Sequence, residues 1–233
     1  GFARRQGFAA RRSGKLDRRH AGRALKRTAL GASAVLLGAP LLAGAALRAA
    51  GRRPQAPPAE EFAPASDGAA VVTASFAGVA TLAISDARTT LLTDGFFTRP
   101  PIAAVALGRI GPNARAIADG LVAMGVDHAA AVIVTHSHYD HALDAAETAR
   151  RTGAMLVGSE STAMIGRGAG LSADRIVVAD PGQPLQFGAF TVTCVPTEHS
   201  PKPAWPGPIT NPLQAPARAS SYKMGECLLV HVS

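Results

Sequence analysis

Thr135-His136-Ser137-His138-Tyr139-Asp140-His141 follows directly on the apolar run Ala129-Ala130-Ala131-Val132-Ile133-Val134. The run is β-branched at Val132, Ile133 and Val134 and short enough to read as a buried strand. Three imidazoles and a carboxylate therefore fall at a strand's end. Residues i and i+2 of an extended segment project to the same side, so His136 and His138 can grip one ion together. Asp140 and His141 come where the chain turns into a predicted helix, Ala142 to Arg151, and their side chains leave in another direction. That arrangement suits a second ion beside the first. Histidines crowded this closely without a metal would repel one another on protonation and gain nothing in packing.

Working outward, the chain of 233 residues is 47% apolar, enough to bury a full core. Its net charge of +8 is unevenly placed: residues 1–53 carry 13 of the 24 Lys and Arg and one acid, Asp17. The remainder has 11 bases against 15 acids, so it is mildly acidic and carries no basic stripe for nucleic acid. Residues 1–27 read as a basic tail. Residues 28–47, from Thr28 to Leu47, hold no charge and are long enough, at about 1.5 Å per residue, to span a hydrocarbon core. They read as a transmembrane anchor or, with the small residues Ala43-Gly44-Ala45, as a cleaved signal peptide. The basic residues before them predict a membrane-anchored or exported protein whose folded part is extracytoplasmic. Residues 48–68 form a Pro- and Ala-rich linker. The domain is expected over residues 69–233.

Within that domain, Val71 to Phe76, Val79 to Ile84 and Thr89 to Thr93 read as an antiparallel meander broken at Gly78 and Asp86-Ala87. Ile117, Leu121 and Met124 give a helix over 112–124, starting at Pro112 and ending at Gly125. After the histidine cluster and its helix, Gly153 marks a C-cap. Ala154 to Val157 and Arg175 to Val178 read as strands around a short helix, Glu160 to Ile165, and Phe187-Gly188-Ala189 turns a hairpin into Thr191 to Val195. Early hairpins followed by β-α-β units predict a layered α/β sandwich with the site at the sheet edge. Cys194 and Cys227 read as core thiols, with a disulfide or thiolate ligand as alternatives.

The pattern His-x-His-x-Asp-His, His136 to His141, resembles the signature of the metallo-β-lactamase-fold hydrolase superfamily. With Leu91 to Phe97, Gly158 to Thr162 and Thr197 to Ser200 it looks like a bacterial membrane-tethered group of that superfamily. The resemblance implies a metallo-β-lactamase-like αβ/βα sandwich. It also implies that His199, beyond the strand Thr191 to Val195, is the third ligand of the first ion, and that Asp94 braces the metal loop. Asp140 and His141 would serve the second ion, with Asp140 also the catalytic candidate and Tyr139 tuning the ligands from outside. Three nitrogens leave a zinc ion one position for a hydroxide, the expected nucleophile on an ester, lactone, amide or phosphodiester. Two zinc ions are expected, with iron or manganese as alternatives. A small molecule is the expected substrate.

Two other readings follow from the same residues: an iron-dependent oxidoreductase or dioxygenase of the same fold, or a catalytically impaired exported binding protein. The superfamily's second ion needs a later bridging Asp and a further His, neither present before Ser233. A domain lacking its C-terminal part is therefore expected, with Leu228, Leu229 and Val230 facing water. His20, His128 and His231 match no motif position. Trp205, on a Pro-rich loop shortly after His199, could wall the pocket or merely anchor its loop.

Overall fold

In the computed structural model, residues 72–199 and 203–233 are described. The basic tail, the apolar segment 28–47 and the linker 48–68 lie outside them. Among the described residues no helix is long and apolar enough to cross a membrane.

Three strands open the domain: β1 (Thr73–Gly78), β2 (Thr81–Ser85) and β3 (Thr90–Thr93), paired antiparallel in sequence order as the meander requires. The β2–β3 turn is built by Asp86, whose Oδ1 accepts from the backbone N–H of Arg88 at 2.9 Å and of Thr89 at 2.6 Å. From β3 the sheet becomes parallel through β4 (Ala131–Ile133), β5 (Met155–Gly158) and β6 (Ile176–Val178), giving the order β1-β2-β3-β4-β5-β6. Parallel strands need crossovers, and helices supply them.

Those helices are α1 (Ile102–Leu107), α2 (Ala114–Ala123), α3 (Tyr139–Ala142), α4 (Ala145–Thr152) and α5 (Glu160–Gly168). Helix α1 is an addition to the elements expected from periodicity: it buries none of its residues, so its sequence carries no amphipathic pattern. Helix α2 starts later than Pro112 because Asn113 is its cap, accepting from the N–H of Arg115 and Ala116. Ile117 and Leu121 face the core as predicted. The helix expected from Ala142 begins earlier, at Tyr139, and is split at Leu143-Asp144. Gly153 ends α4 in the left-handed conformation, φ 76°.

A second sheet, β7 (Pro184–Phe187), β8 (Phe190–Thr197) and β9 (Cys227–Val232), is wholly antiparallel. The first sheet is sandwiched between this one and the helices, and its alternating side chains divide accordingly. Leu92, Val132, Val134 and Leu156 meet the helices. Leu91, Ala131, Ile133 and Val157 meet Phe190, Val192, Cys194 and Leu228 of the second sheet. Burial on both faces explains why β4 reads as a continuous apolar run. Leu228 is buried, correcting the expectation that it faces water; Leu229 is the exposed one, at 55%. The period of two in a strand requires that neighbours face opposite ways. Cys194 and Cys227 are both buried and unpaired, in keeping with core thiols.

Candidate metal centre

Strand β4 delivers the motif. Beyond it the chain stays extended through His138 and then enters α3, so Tyr139, Asp140 and His141 sit on that helix's first turn. Strand β8 ends at Thr197 and delivers His199 from the other sheet. The ligand atoms of His136, His138 and His199 all lie within 4.8 Å of one another. His136 and His138 are buried, with Nε2 of the first 3.0 Å from Nδ1 of the second.

The remaining ring nitrogens decide which atoms are available. His138 Nε2 donates to the carbonyl of Ala204 at 2.7 Å, leaving the Nδ1 lone pair turned toward His136. His141 lies beside the cluster, its ring centroid 3.9 Å from that of His136. Its Nδ1 donates to Asp94 Oδ2 at 2.7 Å, which leaves Nε2 as its donor atom. Burial, then the like charges of the other three histidines, push the His136 pKa down to about 3. At neutral pH that ring is uncharged, the form in which imidazole binds a metal. Burial lowers the His138 pKa too, against the pull of the Ala204 carbonyl and Asp140. Burial also opposes charge on His141, yet the hydrogen bond and charge of Asp94, with Asp140, outweigh it and raise that pKa.

Asp94 is wholly buried and holds the motif from below. Its Oδ1 accepts from the backbone N–H of Thr135 at 2.7 Å, and the Thr135 hydroxyl lies 3.0 and 3.2 Å from its two oxygens. The carboxylate thereby fixes the residue before His136 and the ring of His141 together. Asp140 is half-buried and lies outside the three-histidine group; its charge is felt at His138 and His141. Tyr139 stands with its ring edge toward Phe96 and tilted toward Trp205. His128 and His231 are exposed and belong to no ligand group.

The donor set fits a small divalent ion. Zn–N bonds of about 2.0–2.1 Å in tetrahedral geometry place nitrogens roughly 3.4 Å apart. The observed separations, from 3.0 Å to at most 4.8 Å, bracket that value.

Three supporting groups have no local signal in the sequence. Asp144, wholly buried, accepts from the N–H of Phe97 at 2.7 Å, the N–H of Thr98 at 2.6 Å and the Thr98 hydroxyl at 2.6 Å. It ties the chain just beyond Asp94 to the helix just beyond His141. Burial raises its pKa against those hydrogen bonds and the charge of Arg99. Ser137, Ser159 and Thr162 form a buried hydroxyl cluster with oxygens 3.3 to 3.5 Å apart. The third is the Ala204 carbonyl.

Among curated proteins, 69 residues of the chain are 38% identical to the UPF0173 metal-dependent hydrolase of Methanopyrus kandleri, covering 30% of this chain and 29% of that protein. Among solved structures it is similar to Igni18, a metallo hydrolase from Ignicoccus hospitalis, at 17% identity and TM-score 0.43, covering 70% of this chain and 55% of that one. It is also similar to a B3 metallo-β-lactamase with an active-site glutamic acid, at 21% identity and TM-score 0.44, covering 76% and 58%. The chain thus spans less than two thirds of the length of each. The family model for the β-lactamase superfamily domain matches residues 89–217, which takes in β3, the histidine motif and His199, and the chain belongs to that superfamily, with its mixed α/β metallo-β-lactamase architecture.

Proposed function

We propose that the protein is a metal-dependent hydrolase in which His136, His138 and His199 hold the first ion, taken to be zinc. The observation that carries this reading is the convergence of three imidazole nitrogens within 4.8 Å from two different sheets. An ion bound there supplies Lewis acidity toward water and toward a carbonyl or phosphoryl oxygen. The chain's own residues prepare for it. Ala204 holds the proton on His138 Nε2, so Nδ1 faces the cluster. Asp94 holds the proton on His141 Nδ1, so His141 Nε2 and the Asp140 carboxylate are the donors assigned to a second ion. Asp140 is also the acid–base candidate, since its charge is felt at both His138 and His141. Asp94 and Tyr139 support these residues without binding the ion. The substrate class is an ester, lactone, amide or phosphodiester of a small molecule.

Zinc content and hydrolysis of a panel of such substrates test the reading in the full chain. His136→Ala should lose the tightly held zinc and all turnover, while His128→Ala should keep both. Equal losses from the two variants would remove the assignment. Localisation is part of the same proposal: residues 28–47 anchor or export the domain. A reporter that works only outside the cytoplasm, fused after Pro64, should be active, and activity of a cytoplasm-only reporter there would reverse it.

A further inference from the structure

The segment from Ala204 to Gly225 returns to the histidine motif at both ends. At its start, the Ala204 carbonyl accepts from His138 Nε2. The next residue, Trp205, sets its indole edge-on to the His138 ring, centroids 6.3 Å apart, and tilted on Tyr139 at 6.2 Å. At its end, the Met224 carbonyl accepts from the N–H of Ser137, the residue between the two histidines, at 2.8 Å. The ends are also joined to each other: Met224 N–H donates to the Trp205 carbonyl and Gly225 N–H to the Gly207 carbonyl, both at 3.0 Å. Gly225 allows this closure, because a Cβ there would lie 2.7 Å from Ser161 Cβ and 2.9 Å from Ser137 Oγ. The Ile209 N–H donates to Ser161 Oγ at 2.9 Å, fastening the middle to α5.

Trp205 itself is in the left-handed region, φ 48°, which a bulky residue adopts at a cost of about 1–3 kcal/mol. Pro206 follows it and Pro203 and Pro208 lie close by, each fixing its own φ. A backbone held this way by so many bonds sets the direction of the carbonyl just before it.

We propose that Trp205 is a positioning residue for the metal centre: seated on His138 and Tyr139, it holds the Ala204 carbonyl where it fixes His138 with Nδ1 toward the other ligands. The inference rests on the three-histidine reading above. It adds that ion affinity is controlled by a strap that contributes no ligand of its own. Outer hydrogen-bond partners of ligating histidines typically govern about 10–100-fold in metal affinity.

Full-chain protein is titrated with Zn2+ against a chromophoric chelator, and with Co2+ while tryptophan emission is followed. Trp205 is the only tryptophan in the chain, so its emission reports this contact alone. Trp205→Ala should bind Zn2+ about tenfold more weakly while the metal-free protein still folds and melts cooperatively. Trp205→Phe, which keeps a ring on His138, should recover most of that loss. In the unsubstituted protein Co2+ should quench the emission in step with its binding curve. Unchanged Zn2+ affinity in Trp205→Ala, or Co2+ bound with unaltered emission, overturns the proposal. If Trp205→Ala does not fold, the emission titration and Trp205→Phe decide by themselves. Failure of the underlying reading looks different: the unsubstituted protein and His136→Ala would then bind Zn2+ alike.

Discussion

The two sheets are covered to very different extents. The central strands of the first, β3 to β5, are buried on both faces, with Leu92, Ile133 and Leu156 wholly inaccessible. The second is buried on one face only among the described residues: Val195 and Leu229, a cross-strand pair, stand 43% and 55% exposed on the other. The candidate metal centre draws two histidines from the end of the fully covered sheet and one from beyond the end of the half-covered sheet. On the β4 side the Ala204 carbonyl fixes the His138 ring and Asp94 that of His141, and an ion bound by all three histidines would act as a cross-link between the sheets.

The sharpest test of this asymmetry is Asp94→Ala. It strips a buried carboxylate from the Thr135 N–H and the His141 ring, and should cost about 3–5 kcal/mol in urea unfolding. A loss below about 1 kcal/mol would show that the covered side is no more rigidly built than the other. Cross-linking predicts the next effect in size. Zinc at about a hundred times its dissociation constant should stabilise the chain by about 2.7 kcal/mol, and a chelator should reverse the rise in melting midpoint. Identical melting with and without zinc breaks the link between the sheets. Smallest of all should be Leu229→Ser, within about 0.5 kcal/mol of the parent, as for other surface substitutions. A large loss there would mean that the outer face of the second sheet is covered.

Much of the fold was legible because its signals are local. The β-branched run at Val132 to Val134, the strand pattern of β8, the cap at Gly153 and the hairpin turn at Gly188 each depend on a few neighbouring residues. The motif was legible for the same reason: four ligand-type side chains lie within six positions. What escaped depends on contacts between distant residues. Asp144 meets Thr98 across 46 positions and His138 meets Ala204 across 66, and neither pairing leaves a periodic trace. Helix α1 lacks a buried face, so periodicity had nothing to detect. Leu228 and Leu229 look alike in sequence, and only the pairing register of β9 with β8 says which one turns inward.

Asp94 sits in the left-handed region at φ 53°, immediately before Gly95 at φ 67°. That backbone shape is open to glycine and tolerated by asparagine and aspartate, whereas β-branched residues are excluded by their Cβ substituents. The position thus carries two separable demands, one on main-chain shape and one on the carboxylate. In a library of all twenty residues at this codon, glycine and asparagine would satisfy the turn while leaving His141 without its anionic partner. Glutamate would keep the charge but strain the turn. No single replacement meets both demands, so drift at this position should be confined to chains that have given up the chemistry while keeping the shape.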